Sequence, residues 1–250
     1  VSWDRQRPYR GINALLLDAG EYATFKTIQA HGGTVKKGEK GHLVVFWKWI
    51  DVKDADADEG TDETKKIPYL RYYKVFEINT QTEGLKSKRK TGPIAELNPI
   101  EEAEKIIAGY QGSPPITRAG GRAYYRPSTD EINVPPLELY NNAAEFYSTT
   151  FHEMIHSTGH QARLNRKDVV KTAAFGSEDY SKEELVAEIG AAMLCTLAQI
   201  EQTTIDNSAS YIKSWLRVLK DDVKMVVLAA GAAQKAADYI QGIKAQAQEA

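Results

Sequence analysis

The pentapeptide His152-Glu153-Met154-Ile155-His156 sits inside a helical apolar pattern over residues 138–160, and it constrains the fold more than any other feature of the chain. Histidines four apart share one helix face, about 6 Å apart along the axis, so both imidazoles can converge on one metal ion. Glu153 does not point at the same spot, but it can reach a water held there and accept its proton. A tetrahedral hydrolytic site takes three protein ligands and keeps its fourth position open for water. The fold must therefore bring a further donor to this helix from elsewhere in the chain.

The next helical segment, residues 182–197, is the better source of that donor. Glu184 and Glu188 lie one turn apart on one face, and the residues that follow are almost wholly apolar, which sets Glu188 beside the core. Buried acids need partners; a metal for one and the ring N–H of a ligand histidine for the other satisfy both. The spacing Glu184-x-x-Ala187-Glu188 resembles the E-x-x-A-D of several zincins with a glutamate ligand. That resemblance makes Glu184 the third ligand and Glu188 the residue that orients a histidine, with the reverse assignment open. His160 is a further candidate, but on an unbroken helix it stands about 12 Å along the axis from His152 and reaches the ion only if the chain breaks at Gly159. The metzincin spacing needs its third histidine where this chain has Ala162, and a histidine is favourable at a helix C-terminus in any case. The expected centre is one divalent ion, zinc, on His152, His156 and Glu184, with Glu153 as general base. Just ahead of it, residues 122–125 and 131–134 read as a hairpin about a Pro-Ser-Thr-Asp turn. Tyr124-Tyr125 or Ile132-Asn133-Val134 is then either an edge to which an extended peptide adds by main-chain pairing, or plain structure.

With 250 residues and 42% hydrophobic content the chain can build one large core or two small ones. The single Cys195, in an apolar run, makes no internal disulfide and reads as a small buried hydrophobe in a reducing compartment. No run approaches the roughly 18 apolar residues of a membrane span, and the first five residues lack a signal-peptide core, so the expectation is a cytoplasmic protein with no membrane partner. The N-terminal part reads as helices over 11–17 and 22–30, a Gly-punctuated basic turn over 36–41, and strands over 43–50 and 69–78. The acidic stretch 51–63 reads as a solvated loop rather than a metal site, and 80–99 as a linker. Helices are expected over 100–110, 138–160 and 182–197, and from 209 to the C-terminus with Gly231 as a break. The fold class is α+β: a small mixed α/β domain over 1–95 and a mainly helical domain over 96–250 carrying a β-hairpin or small sheet.

The overall charge of −2 excludes a nucleic-acid coat, so any DNA contact must be local. Residues 1–99 hold 17 basic and 14 acidic side chains, a net +3, and setting aside the acidic stretch, −6 by itself, leaves +9. Cations track a phosphate backbone and exposed aromatics stack on unpaired bases, which suits single-stranded DNA. Arg10, Lys36, Lys37, Lys40, Trp47, Lys48, Trp49 and Arg71 are the candidate contacts, with Tyr72 and Tyr73 as further stacking rings. Half of the aromatics must face the core of so small a domain. Strand alternation puts Phe46 on one face and Trp47 and Trp49 on the other without saying which is wet.

Residues 8–17 (Pro-Tyr-Arg-Gly-Ile-Asn-Ala-Leu-Leu-Leu), Gly32-Gly33 with residues 35–41, and Val45-Phe46-Trp47-Lys48 are similar to the N-terminal domain of ArdC-type antirestriction proteins, shared with TraC-type plasmid primases. Residues 151–160, 183–192 and 232–240 resemble their C-terminal domain. The resemblance implies a single-stranded-DNA-binding domain followed by a zincin-like metallopeptidase domain, carried on mobile elements and protecting incoming DNA from restriction in the recipient cytoplasm. The substrate of such a peptidase would be a host protein. Two alternatives stand beside it: protection by DNA occupancy alone, with a structural metal site, and a metal-dependent nuclease. An intact Glu153 argues against the first, since a structural zinc has no use for a general base, and a single His/His/Glu set against the second.

Overall fold

The computed structural model describes residues 1–18, 20–53, 64–88, 98–166, 178–200 and 223–243. The chain divides into two compact units, Val1–Pro93 and Ile94–Ala250. Most of the acidic stretch, most of the second half of the expected linker and residues 209–222 and 244–250 of the expected last helix lie outside the described residues.

The first unit is built on a long antiparallel ribbon, β3 (His42–Lys53) with β4 (Thr64–Glu77), registered from His42 opposite Val75 to Lys53 opposite Thr64. β-Branched and aromatic residues dominate both strands, as a pleated, half-buried surface favours. β1 (Tyr22–Thr24) adds to the other side of β4, giving the order β1-β4-β3. Helix α1 (Ile12–Leu16) is fastened to β3 by buried Asn13, which donates to Val45 O and accepts from Val45 N, both at 2.7 Å. The expected helix over 22–30 is only half helix. Tyr22 and Ala23 are buried in the sheet, and α2 (Phe25–Ala30) begins where Thr24 Oγ1 accepts from Thr27 N as an N-cap.

The expected linker is likewise shorter than its polarity suggested. Ile78–Gln81 forms α3, and β5 (Thr82–Glu83) pairs with β2 (Thr34–Val35). Lys86 O then accepts from Trp3 Nε1 at 2.8 Å while the Lys88 ammonium lies 4.0 Å over the Trp3 ring. Leu85 packs so close to Gly33 that a Cβ there would lie 2.5 Å from Leu85 Cγ. Main-chain pairing and a few well-placed apolar side chains hold this segment in the core of Trp3, Ala23, Ile28, Phe76 and Ile78.

The second unit opens with α4 (Pro99–Gly109), capped by Asn98, whose side chain accepts from Ile100 N. A three-stranded sheet follows in the order β6-β8-β7, from β6 (Ile116–Arg118), β7 (Tyr124–Arg126) and β8 (Glu131–Val134). β7 and β8 form the expected antiparallel hairpin, and β6 lies parallel to β8 on its other side. Ile132-Asn133-Val134 is therefore the central strand and cannot serve as an edge. After a short 3₁₀ turn, Leu137–Leu139, α5 (Ala143–Thr158) starts at Asn142, whose side chain accepts from Glu145 N, and Glu145 in turn accepts from Asn141 N. The helix expected from residue 138 thus begins five residues later. α6 (Glu178–Leu197) and α7 (Val223–Ile240) complete the described helices, and α7 runs through Gly231 without a break. Phe151, Met154 and Ile155 of α5, Leu194 of α6 and Ala233, Ala236 and Ala237 of α7 are fully buried. Gly190 lets α6 approach α5, because a Cβ there would lie 2.7 Å from Ile155 Cδ1. No described helix is long and apolar enough to cross a membrane.

Candidate functional site

α5 and α6 bring His152, His156 and Glu184 together, with one donor atom of each within 4.8 Å of the others. The two Nε2 atoms are 3.1 Å apart; Glu184 Oε2 lies 3.5 Å from that of His152 and Oε1 3.4 Å from that of His156. Two nitrogens bound at about 2.0–2.1 Å to one tetrahedral ion stand roughly 3.3 Å apart, so the rings already hold the spacing of a ligand pair. Nitrogen and carboxylate donors, all only partly exposed, suit a small divalent cation. Among the described residues no other group of three His, Cys, Asp or Glu side chains converges in this way.

The far side of each ring meets a second acid. Glu188 Oε1 lies 3.5 Å from His152 Nδ1, and Glu183 Oε1 lies 3.2 Å from His156 Nδ1. Acids on Nδ1 fix the tautomer that leaves Nε2 with its lone pair toward a metal. Glu183 was not legible as a site residue, nor was Arg166, which donates to both of its oxygens at 3.0 and 2.6 Å and to Ile155 O and Thr158 Oγ1. Burial pushes the Glu183 carboxyl up, but hydrogen bonds from His156 and Arg166 win and hold it below the ordinary carboxylate range. Burial likewise opposes charge on His156, yet hydrogen bonds to Glu183 and Glu184 push its pKa up to about 10. The protonated ring supplies the positive charge these acids require, which a cation would supply in its place. A signal for Glu183 existed: residues 183, 187, 190 and 194 form one buried stripe of α6, and an acid on an otherwise apolar stripe needs a partner.

Glu153, next to His152 on α5, is buried at 8% exposure and is not itself one of the three converging donors. Burial raises its pKa, partly offset by His156 and His152. His160 belongs elsewhere. Gly159 ends α5 in right-handed geometry, and His160 Nδ1 lies 3.8 Å from Asp130 Oδ2.

In the first unit Arg10, Lys37, Lys40 and Arg71 are exposed, whereas Lys36 is half-buried and donates to Thr80 O at 2.7 Å. Trp47, Lys48 and Trp49 lie in β3 opposite Leu70, Tyr69 and Pro68, and their side chains lie outside the described residues. The structure adds Phe46 and Tyr69 as exposed rings beside Tyr72 and Tyr73, with Phe46 61% exposed. Phe46 is paired with Arg71, so Phe46, Tyr69, Arg71 and Tyr73 share one face of the ribbon. Arg71 lies 5.2 Å over the Tyr69 ring, and Phe46 meets Tyr73 edge-on at 5.9 Å.

Residues 101–232 match the family described as zincin-like metallopeptidase, and residues 2–76 match the N-terminal domain of anti-restriction factor ArdC. The chain is 35% identical to the y4eC protein of Sinorhizobium fredii (strain NBRC 101917 / NGR234) over 97% of its own length and 80% of that protein. It is also 35% identical to the DNA primase TraC of Escherichia coli over 93% of its length, which spans only 17% of the primase. The metal-free crystal structure of the antirestriction ArdC protein from the R388 plasmid superposes with a TM-score of 0.68 at 39% identity, covering 94% of this chain and 85% of that one. Its Mn(II)-bound structure gives 0.69 at 36% identity, covering 96% and 86%. The chain belongs to the ArdC antirestriction family and joins an ArdC-type N-terminal domain to a zincin-like metallopeptidase domain.

Proposed function

We propose that the second unit hydrolyses peptide bonds of a host protein with one divalent ion, zinc, held by His152, His156 and Glu184. In the same reading the first unit holds single-stranded DNA, and together they protect incoming plasmid DNA from restriction in the recipient cytoplasm. The observation that carries the hydrolytic part is the convergence of three donors from two helices beside the buried carboxylate of Glu153. The Mn(II)-bound state of the R388 protein supports a divalent ion.

When bound, such an ion supplies Lewis acidity, lowering the pKa of a water and polarising a carbonyl. Glu153 takes a proton from the attacking water and returns it to the leaving nitrogen. Its burial raises its basicity and suits it to both transfers. Glu188 and Glu183 hold the imidazoles by Nδ1, so Nε2 of each stays turned toward Glu184. In the first unit, the ring face of Phe46, Tyr69 and Tyr73 offers stacking to unpaired bases, while Lys37, Lys40 and Arg71 meet phosphates.

Glu153→Gln tests the reading. The amide can hydrogen-bond water but cannot accept its proton, so the variant keeps metal and fold and loses cleavage of candidate host proteins. Cleavage at the wild-type rate contradicts the mechanism. Undiminished protection in cells by this variant favours protection through DNA occupancy alone.

A further inference from the structure

We propose that Arg166 is a positioning residue for the metal centre: its guanidinium locks the Glu183 carboxylate onto Nδ1 of His156 and thereby fixes the direction of the ring's other nitrogen. The inference rests on the proposed ion at His152, His156 and Glu184; the contacts it uses are properties of the fold.

The chain folds back on the end of α5 before it reaches Arg166. Leu164 N donates to Thr158 O at 2.9 Å, Asn165 N to His160 O at 3.0 Å and Arg166 N to Gly159 O at 2.9 Å. Asn165 sits in this reversal at φ 50, a left-handed conformation that asparagine tolerates better than most residues. The Arg166 side chain then spans two helices. Nη1 donates to Thr158 Oγ1 at 2.6 Å and Nη2 to Ile155 O at 2.8 Å, in the last turn of α5, where main-chain carbonyls lack helical partners and a cation is favoured. Nε and Nη2 donate to the two oxygens of Glu183 on α6, at 3.0 and 2.6 Å.

This fork decides what the carboxylate can do. Two parallel bonds fix its plane as well as its place. Oε1 is thereby held facing Nδ1 of His156 at 3.2 Å. A buried ion pair repays its desolvation only where the geometry is good and the remaining polar groups are satisfied. Here the two side chains are 13% and 9% exposed, and every guanidinium nitrogen has an acceptor. An apolar pair would join the helices without that cost; what only an ionised acid supplies is a fixed acceptor for the ring N–H.

Charge and geometry predict opposite outcomes. As a mere cation Arg166 repels a divalent ion, so its loss would tighten metal binding. As a positioning residue it keeps the ring aimed, so its loss weakens binding. Lysine keeps the charge but, as a point donor on a flexible stem, cannot make the planar fork.

Zinc affinity of the full chain, measured by competition with a chelator of known affinity, tests this in wild type, Arg166→Gln, Arg166→Lys, Glu183→Gln, Arg163→Lys and His156→Ala. Both Arg166 substitutions should weaken zinc binding by about 10-fold. In the Glu183→Gln background they should add little, because the acid through which Arg166 acts is already gone. Should Arg166→Gln fail to fold, the lysine variant makes the same comparison. Arg163 controls for loosening of the same turn, since it donates to Ser157 O at 2.7 Å and pairs with Asp130 rather than Glu183. Arg163→Lys should lower stability to urea and leave the zinc affinity of the folded protein unchanged. The proposal is overturned by zinc binding at wild-type strength or tighter in Arg166→Lys, by additive losses in the Glu183→Gln background, or by an equal loss in Arg163→Lys. Zinc retained by His156→Ala overturns the metal reading and this inference with it; zinc lost there but kept by the Arg166 variants overturns this inference alone.

Discussion

Glu183 Oε1 lies 3.2 Å from Nδ1 of His156, on the opposite side of the ring from Glu184. The imidazole is therefore held from both ends by acids that are neighbours on α6, and its orientation is set before any cation arrives. Removing the charge at Glu183 while keeping its shape should loosen that hold. Glu183→Gln is expected to weaken zinc binding by about 10–100-fold, measured by competition with a chelator of known affinity. Unchanged affinity would mean that the second acid is idle.

The contact between Gly190 and Ile155 sets how closely α6, and with it Glu184, approaches the histidines. Gly190→Val forces side-chain atoms into space that Ile155 fills. It should lower unfolding free energy by about 1–3 kcal/mol in urea denaturation of the metal-free protein. Zinc affinity should fall in parallel, and a variant at least as stable as wild type would show that α6 moves away at no cost.

The Asp130–Arg163 pair makes stability depend on pH. Burial pushes the Asp130 carboxyl up, but hydrogen bonds from Arg163 and Tyr125 prevail and hold it below its ordinary value. A carboxylate depressed in the folded state contributes stability that is fully present above its unfolded pKa of about 3.9 and is lost as pH falls through the folded value. Asp130→Asn should accordingly be less stable than wild type at pH 7, and the difference should shrink at pH 3 and below. A gap independent of pH in parallel melting curves would assign the loss to packing instead.

The two kinds of DNA contact proposed for the first unit should separate by their response to salt. Replacing Lys37 and Lys40 by alanine should flatten the salt dependence of binding to a single-stranded oligonucleotide. Phe46→Ala should cost about 1–3 kcal/mol at every salt concentration. Duplex binding as tight as single-strand binding by the same protein would contradict the assignment of this face to unpaired bases.

Local spacing made part of this site readable in advance. Histidines four apart and acids four apart on two helices state a shared face directly, and the structure sets all four side chains together. What stayed hidden is held by contacts with no period. Arg163 and Arg166 lie in the turn after α5, where no repeat marks which side chain folds back. β6 is too short for alternation to declare it, and its parallel pairing with β8 is a long-range choice. Residues 82 and 83 are polar, yet they pair with Thr34 and Val35, because a ladder is made by the main chain and leaves little trace in composition.

In the proposed centre His152, His156 and Glu184 together hold one divalent ion. Metal content per chain, measured on wild type, His156→Ala, Glu184→Ala and Glu188→Ala purified side by side with zinc, tests it most directly. One ion is expected in wild type, almost none in His156→Ala and Glu184→Ala, and a weakened but occupied site in Glu188→Ala. Full retention in Glu184→Ala together with loss in Glu188→Ala would contradict it.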